Sequence, residues 1–292
     1  MKAHMAGPLA GVLVGSVIVL AGCTAAKSQD SHVASAEIDH IHALSTTTDG
    51  VLLIGSHNGI YQVDYSGDDT AATGPVGGAN FDSMGFVATD RVWYTSGHPG
   101  PESPEIFAAP NIGLLKSTDE GQTWTSMSLS GEADFHSLTA STGDVERIYG
   151  LRTDAQEIQV SRDGGTTWQA GASLMARMLL ADENPDIVYA TTDQGFAVST
   201  DAGASFEVQE DAPPLLLVAA DPSRGGNLVG IDTTGTIWHQ QGDLSWVSGG
   251  TVEGVAQALT VDPDGTIVLA LEHAILSSTD YGQSWKTLVE IE

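Results

Sequence analysis

Ser117-Thr-Asp-Glu-Gly-Gln-Thr-Trp124 is the first of four stretches that share the pattern Ser-x-Asp-x-Gly-x-(Ser/Thr)-(Trp/Phe). The other three are Ser161-Arg-Asp-Gly-Gly-Thr-Thr-Trp168, Ser199-Thr-Asp-Ala-Gly-Ala-Ser-Phe206 and Ser278-Thr-Asp-Tyr-Gly-Gln-Ser-Trp285. Each stretch lies between two alternating apolar runs, so its Asp and Gly suit a tight hairpin while the aromatic side chain packs between layers. We interpret the aspartates of these turns as structural acceptors for backbone N–H groups: Asp119, Asp163, Asp201 and Asp280.

The spacing of the four stretches predicts the fold. Their aspartates are 44, 38 and 79 residues apart, and the last interval is about twice the others, so a degenerate copy is expected midway, at Ser245-Trp246, with Gln241 in place of the aspartate. Around each copy the sequence repeats four short apolar strands separated by turns. Such units, repeated about every 40 residues, are typical of β-propeller blades.

A further strand pattern at residues 59–64 brings the number of repeats to six. We therefore predict an all-β fold, a β-propeller of six four-stranded blades over residues 37–292. A seventh blade would have to fit into the segment between Asp64 and Phe81. The last repeat supplies its own fourth strand at residues 286–291, so the ring closes without strand exchange, unless residues 32–38 add to that blade.

The charge balance excludes some partners. The chain of 292 residues has 38 acidic and 10 basic residues, a formal net charge of −28, and no cluster of Lys and Arg after residue 22. Nucleic acid and an anionic membrane surface are therefore excluded as expected partners. The hydrophobic content of 41% is ample for a core, and we expect a monomer.

The amino terminus has the pattern of a targeting segment. Lys2 precedes an apolar stretch at residues 7–21, which ends in Leu20-Ala21-Gly22-Cys23. This is a lipobox, and its resemblance to bacterial lipoproteins implies cleavage before Cys23 and a diacylglyceryl group on its sulfur. We predict a signal peptide (1–22), a flexible tether (23–36) and a protein anchored through lipid to the outer side of the bacterial cell membrane. Because Cys23 is the only cysteine, no disulfide or thiolate metal ligand is expected.

The histidines concentrate at one end of the predicted strands. Alignment of the repeats on their first strands places His42 and His136 at equivalent positions, in one row with Gly85, Arg177 and Gln257. His40 lies two residues before His42, so strand alternation directs both side chains the same way.

Alignment on the second strands gives a second set just past the strand ends: His57, His98 and His273. In an antiparallel blade these positions lie beside the start of the first strand, on the face where propellers usually bind ligands. Neutral imidazoles grouped with a carboxylate such as Asp134 suit zinc, copper or nickel. We predict a divalent transition metal, copper or zinc, as the cofactor, with these ligands: His40, His42, His57, His98 and His136. His273 is a weaker member because its register can slip by one residue.

The same region carries a family resemblance, in the segments His40-Ile-His-Ala-Leu44, Gly55-Ser-His57, Met84-Gly-Phe86, Ser96-Gly-His-Pro-Gly100 and Gly131-Glu-Ala-Asp-Phe-His136. The four stretches described first are Asp-boxes, also called BNR repeats, through which the chain resembles the sialidase-like β-propeller superfamily. The segments are similar to secreted bacterial Asp-box proteins labelled glycosyl hydrolases or exo-sialidase-like. This resemblance implies glycan hydrolysis.

The residues do not support sialidase chemistry. Sialidases of this superfamily hold the substrate carboxylate with three arginines and carry an Arg-Ile-Pro type motif, which is absent here. Only Arg177 and Arg152 approach the histidine end. Another glycosidase chemistry would need two carboxylates; Asp134 and Asp82 are the candidates, with Asp232 and Glu272 nearby. The segment 99–110, with Glu102 and Glu105, is either a lid or a plain insertion.

Three functions therefore stay open. The first is binding of a transition metal, or of a metal-dependent ligand, at the channel mouth. The second is hydrolysis of a cell-surface or environmental glycan. The third is a scaffold whose histidine face binds protein, as in the Asp-box propellers that help to build photosynthetic complexes.

Overall fold

A computed structural model describes residues 1, 34–36, 38–67, 70–101, 103–152, 154–155 and 157–291. The predicted signal peptide beyond Met1, the lipidation site Cys23 and the predicted tether up to residue 33 lie outside this set. Within it, no helix is long and apolar enough to cross a membrane.

Six antiparallel sheets of four strands follow one another along the chain, after a short strand β1 (Ala34–Ala36). The first blade consists of β2 (Ile41–Thr46), β3 (Leu52–Ser56), β4 (Gly59–Asp64) and β5 (Ala71–Thr73). The second consists of β6 (Phe81–Ala88), β7 (Trp93–Pro99), β8 (Leu114–Ser117) and β9 (Thr125–Ser128). The third consists of β10 (Phe135–Ala140), β11 (Ile148–Arg152), β12 (Glu157–Ser161) and β13 (Gln169–Ser173).

The remaining blades have the same order. The fourth consists of β14 (Ala176–Ala181), β15 (Val188–Thr192), β16 (Gly195–Ser199) and β17 (Glu207–Val208). The fifth consists of β18 (Leu215–Asp221), β19 (Asn227–Asp232), β20 (Thr236–Gln240) and β21 (Trp246–Thr251). The sixth consists of β22 (Ala256–Val261), β23 (Ile267–Leu271), β24 (Ala274–Ser278) and β25 (Lys286–Ile291). Short 3-10 turns lie at Val76–Gly78 and Pro222–Arg224.

The prediction of six blades is confirmed. The sixth blade both supplies its own fourth strand and receives an added strand from residues 34–36. The sixth blade has its own fourth strand, β25, and β1 pairs with it in parallel, with Ala34 opposite Val289 and Ala36 opposite Ile291. The described part of the segment between Asp64 and Phe81 holds β5 and one 3-10 turn rather than a seventh blade.

The core lies between neighbouring blades, since each sheet has two apolar faces and only another sheet can cover them. Leu53 and Ile60 of the first blade pack with Phe81 and Trp93 of the second. The Asp-box aromatics join this packing: the indole N–H of Trp168 in the third blade donates to Ser128 Oγ of the second blade at 2.9 Å, and its ring lies 4.8 Å from that of Phe135 in its own blade. Each blade is therefore stabilised by the next one.

The Asp-box turns have one repeated hydrogen-bond pattern. Ser161 Oγ donates to Asp163 Oδ1 (2.9 Å) and accepts the Gly165 N–H (2.8 Å), while Asp163 accepts the Thr167 N–H (2.8 Å) and hydroxyl (2.6 Å). The other three boxes form equivalent bonds. The hydroxyl of Thr167 is the main cause of the lowered pKa of Asp163. These carboxylates serve the turn itself.

The degenerate copy in the fifth blade keeps the aromatic residue but not the Ser-x-Asp-x-Gly turn. Ser245 donates its hydroxyl to Asp243 Oδ1 (2.6 Å), and the ring of Trp246 lies 5.8 Å from that of Phe196 in the preceding blade. The packing role of the motif is thus retained where its turn has been lost.

We expect the Ser161→Ala substitution to lower the free energy of unfolding by about 2 kcal/mol. The side chain of Ser161 is fully buried, and its loss leaves the buried Gly165 N–H without an acceptor. Urea unfolding measures the change, with Ser173→Ala, at an exposed strand end, as the matched control. Equal effects of the two substitutions would contradict a stabilising role of the box serine.

Every first strand contains a β-bulge near its start. The pairing of first and second strands shifts by one residue at the same point in all six blades. A bulge leaves one residue unpaired and redirects its side chain. We call these six residues the bulge row: His42, Met84, His136, Arg177, Leu216 and Gln257.

One member of the bulge row differs from the sequence-based alignment. Alignment of the repeats placed Gly85 in the row, but Gly85 pairs with Ser96 and the bulged residue is Met84. A Cβ atom on Gly85 would lie 2.3 Å from the carbonyl oxygen of Phe135, so this glycine is needed for the close approach of the third blade.

Candidate metal centre

The first strands surround a central cavity of about 840 Å³. Apolar side chains such as Leu44, Phe86 and Leu179 line its length. At one end, which we call the mouth, it is lined by five members of the bulge row: His42, Met84, His136, Arg177 and Gln257. The bulges therefore present imidazole, thioether, guanidinium and amide groups to an otherwise apolar channel.

One cluster at the mouth, the first trio, consists of His42, His57 and Asp82. Their ligating atoms lie within 4.8 Å of one another. His42 is the bulge residue of β2, His57 follows the end of β3, and Asp82 lies on β6 of the next blade. The Nε2 atoms of His42 and His57 are 3.3 and 3.9 Å from the two carboxylate oxygens of Asp82. Two imidazoles and a carboxylate converge on one point, as in metal sites.

His40 lies beside the first trio. Its ring centroid is 4.8 Å from that of His42 and 5.0 Å from that of His57, and its Nδ1 is 3.2 Å from the Gln257 amide nitrogen. Desolvation, followed by the proximity of His42 and His57, lowers the pKa of His40. A neutral imidazole is the form that can act as a ligand.

The second trio consists of His98, Asp134 and His136, which also bring their ligating atoms within 4.8 Å of one another. His136 is the bulge residue of β10, Asp134 immediately precedes that strand, and His98 lies near the end of β7. The Nε2 atom of His136 is 2.8 Å from Asp134 Oδ2, and that of His98 is 3.4 Å from the same oxygen. The hydrogen bond to Asp134 raises the pKa of His136.

The tautomer of His98 follows from its second contact. Its Nδ1 lies 3.0 Å from the carbonyl oxygen of Pro110, which can only accept a hydrogen bond, so Nδ1 carries the proton. The Nε2 lone pair of a neutral ring then faces the Asp134 carboxylate at 3.4 Å. Two acceptors in this arrangement repel unless a cation, either a proton on Nε2 or a metal ion, lies between them. A carbonyl on the remote ring nitrogen is the usual support of a histidine that binds a metal.

Buried polar atoms without partners point to the same two sites. His42 Nε2, Asp82 Oδ1 and Asp134 Oδ1 are buried and have no hydrogen-bond partner among the residues that the structure describes. The His42–Asp82 pair is 3.3 Å apart but lacks hydrogen-bond geometry. Asp134 is only 3% exposed. A buried carboxylate oxygen without a donor is costly. In the first trio a cation between His42 Nε2 and Asp82 Oδ1 would remove this cost. In the second trio the histidines face Asp134 Oδ2, so a cation would also satisfy Oδ1 only if both carboxylate oxygens bind it.

The two trios adjoin on the second blade. Asp82 of the first trio and His98 of the second lie directly opposite each other on β6 and β7. Gly97 makes this contact possible: its φ is +146°, and a Cβ there would lie 2.0 Å from the carbonyl oxygen of Asp82. The trios together form one polar band across three blades.

Other residues selected from the sequence lie outside both trios. His273 and Glu272 are exposed in the turn before β24. Asp232 accepts the Trp238 indole N–H (2.8 Å), and Arg152 pairs with Asp154 (2.7 Å).

The segment 99–110 supports the second trio. Phe107 is buried and packs its ring against that of Phe81, with centroids 5.0 Å apart, and Pro110 holds His98. Glu105 is exposed, and Glu102 lies outside the described residues. Sequence reasoning placed Gln257 correctly in the row but missed its contact with His40, and it missed Pro110 and Met84, since neither role follows from residue type.

Comparison with known proteins supports the fold and the repeat. Residues 159–170 match the family model of the BNR/Asp-box repeat. The search of curated proteins gives no significant match. The fold and the repeat together define an Asp-box β-propeller.

Solved structures with the same fold have different described roles. A GH74 xyloglucanase from Xanthomonas campestris has 14% identity and a TM-score of 0.58, over 87% of this chain and 46% of that one. A chain of a nidogen/laminin complex has 13% identity and a TM-score of 0.59, over 79% and 89%. An auxiliary nutrient binding protein from Bacteroides thetaiotaomicron has 8% identity and a TM-score of 0.58, over 81% and 67%. This chain spans less than half the length of the xyloglucanase, and likeness at such identities establishes the fold alone.

Proposed function

We propose that the protein binds divalent transition metal ions at the mouth of the propeller, one ion in each trio. The observation that carries this proposal is the pair of trios, and in particular His42 Nε2 and Asp82 Oδ1, two buried atoms that face each other at 3.3 Å and lack hydrogen-bond partners among the described residues. His42, His57 and Asp82 would hold one ion, with His40 adjacent, and His98, Asp134 and His136 would hold the other.

The ligand types favour zinc or copper. Imidazole suits both metals, and a carboxylate completes sets of two histidines and one acid in zinc sites. Three protein ligands leave at least one coordination position open, as in sites that act on an exogenous molecule. We therefore propose that the bound metal serves to hold a further ligand.

We also propose that the protein is a lipoprotein anchored on the outer side of the bacterial cell membrane. The support is the sequence Leu20-Ala21-Gly22-Cys23 after an apolar stretch. In this compartment the metal site would be exposed to environmental or cell-wall ligands.

Glycan hydrolysis is the second candidate function. It is favoured by two carboxylates beside mouth residues, Asp82 next to His42 and Asp134 next to His136, of which Asp134 is almost completely buried. Each carboxylate faces two histidines and belongs to a different trio, so hydrolysis would require a substrate that spans both. Turnover of a fluorogenic glycoside panel that is lost in the Asp134→Asn variant would support this function; metal retention without turnover would support binding alone.

We expect untagged protein to retain one zinc or copper ion per trio after loading at about pH 7.5 and desalting, as measured by elemental analysis. At a free metal concentration of 100 times Kd, one bound ion stabilises the fold by about 2.7 kcal/mol, which raises Tm. Because protons compete for imidazole nitrogens and the pKa of His136 is raised above its ordinary value, the affinity of the second trio should already fall as the pH drops from neutral through about 6.5, the ordinary histidine pKa.

Magnesium is the control for this experiment, because it prefers oxygen ligands in octahedral geometry and should neither be retained nor raise Tm. Failure to retain zinc, copper or nickel at neutral pH would contradict the proposed function.

A further inference from the structure

We infer that Arg177 and a metal ion in the second trio together hold the anionic group of a small ligand at the mouth. This group is an oxyanion, either a carboxylate or a phosphate. This inference rests on the proposed metal binding and adds the chemical class of the ligand. It depends on the position of Arg177, on its lack of a partner and on the cavity beside it.

The position of Arg177 is equivalent to that of the metal-binding histidines. It is the bulge residue of β14, as His136 is of β10 in the adjacent blade, and both residues line the mouth. The two strands are joined directly, since the Leu179 N–H donates to Ser137 Oγ at 2.9 Å. The guanidinium therefore lies on the blade next to the second trio.

Arg177 has no partner among the residues that the structure describes: its side chain is exposed and forms no hydrogen bond or ion pair with any of them. By contrast, Arg147 pairs with Asp186 at 2.9 Å and Arg152 with Asp154 at 2.7 Å. The chain has 38 acidic and only 10 basic residues, so an unpaired arginine beside a ligand cavity leaves its whole donor fork available. Guanidinium binds carboxylate and phosphate through two parallel hydrogen bonds.

A second cavity provides space for the remainder of the ligand. It has a volume of about 470 Å³, lies between the fourth and fifth blades, and shares Arg177 with the central cavity. Thr192, Gln194 and Thr233 line it together with Leu216, so hydroxyl and amide groups are available beside one apolar surface. Asp193 is the acidic residue of its lining and does not pair with Arg177.

The chemistry of the two anchors is complementary. The second trio supplies three ligands and leaves a coordination position, and an oxyanion oxygen is a suitable occupant. The remaining oxygens can accept N–H groups from Arg177. A ligand held in this way has its anionic group at the mouth and a hydroxyl-bearing body in the second cavity.

The test is isothermal titration of zinc-loaded protein with inorganic phosphate and, separately, with gluconate. The proteins compared are wild type, Arg177→Gln, Arg177→Lys and the control Arg162→Gln, whose exposed side chain bonds only to Gln169 within the described chain. We expect Arg177→Gln to weaken binding of the preferred anion about tenfold or more, since a charge-assisted bidentate contact is lost. Arg177→Lys, which keeps the charge but not the fork, should lie between, and Arg162→Gln should match wild type. The anion that binds wild type more tightly identifies the group as phosphate or carboxylate.

Metal content is measured on every sample and separates the two proposals. If Arg177→Gln retains zinc and binds either anion as well as wild type does, the inference about Arg177 is overturned while metal binding stands. The inference about Arg177 is also overturned, while metal binding stands, if zinc-loaded wild type binds neither anion. If no sample retains zinc, both proposals fail. An unchanged Tm of Arg177→Gln, expected for an exposed side chain, shows that the loss of anion binding is not a folding defect.

Discussion

The His42→Ala/His136→Ala double variant is expected to retain no zinc or copper under conditions in which wild type retains one ion per trio. Each substitution removes one of three ligands from one trio, and removal of even a supporting residue typically lowers metal affinity by about 10- to 100-fold. Loss of a ligand should cost more than 100-fold, enough for the ion to be lost on desalting. The single variants His42→Ala and His136→Ala should each retain one ion, because each leaves the other trio intact.

His239→Ala is the matched control for these variants. His239 lies on β20, where its ring stacks on that of Tyr281 at a centroid distance of 3.9 Å, and it belongs to neither trio. Elemental analysis and thermal unfolding without metal are run on all four variants, so that a folding defect can be recognised. Full retention of metal by the double variant would place the ions elsewhere and refute the assignment of the trios.

The Gly97→Ala substitution is expected to lower the free energy of unfolding by about 4 kcal/mol and to abolish metal binding. The new Cβ would lie 2.0 Å from the carbonyl oxygen of Asp82 and 2.9 Å from the Met84 nitrogen, and both are backbone atoms that cannot rotate away. The backbone at φ +146° is also strained for a residue with a side chain. Strain and overlap of this kind each cost about 1–3 kcal/mol. Relief of the overlap would separate β6 from β7 between Asp82 and His98, where the two trios meet.

Gly50→Ala distinguishes strain from overlap. Gly50 also has a positive φ, +84°, but a Cβ there would meet no atom within 4 Å. We expect this control to cost about 1 kcal/mol and to leave metal binding unchanged. Denaturant unfolding and elemental analysis give both quantities. A Gly97→Ala protein that unfolds like the Gly50→Ala protein and keeps its metal would show that the second blade tolerates a wider spacing.

The blade count could be predicted because the Asp-box combines a turn and a core residue in eight positions. Ser161, Asp163 and Gly165 specify the turn locally, and Trp168 packs at the boundary with the preceding blade, where its indole N–H donates to Ser128 Oγ. The degenerate copy at Trp246 was recognisable from spacing alone. Local hydrogen bonds and a fixed repeat length can both be recognised from the sequence.

The gathering of histidines was also predictable, but its division into two trios was not. Asp82 joins His42 and His57 across a blade boundary, and Asp134 lies between His98 and His136 in the same way. Such pairings depend on how neighbouring sheets pack, which no pattern within one blade contains. The shift from Gly85 to Met84 has a similar cause, because a bulge changes register without changing the strand pattern.

The bulge row also separates the chemistry of the mouth from the pairing of the strands. Its six residues occupy equivalent backbone positions in the six blades but differ in chemistry: His42, Met84, His136, Arg177, Leu216 and Gln257. Because a bulged residue makes no ladder contact of its own, it can change without disturbing the sheet that carries it. A substitution at one of these positions is therefore expected to change the chemistry of the mouth while the pairing of the strands is kept.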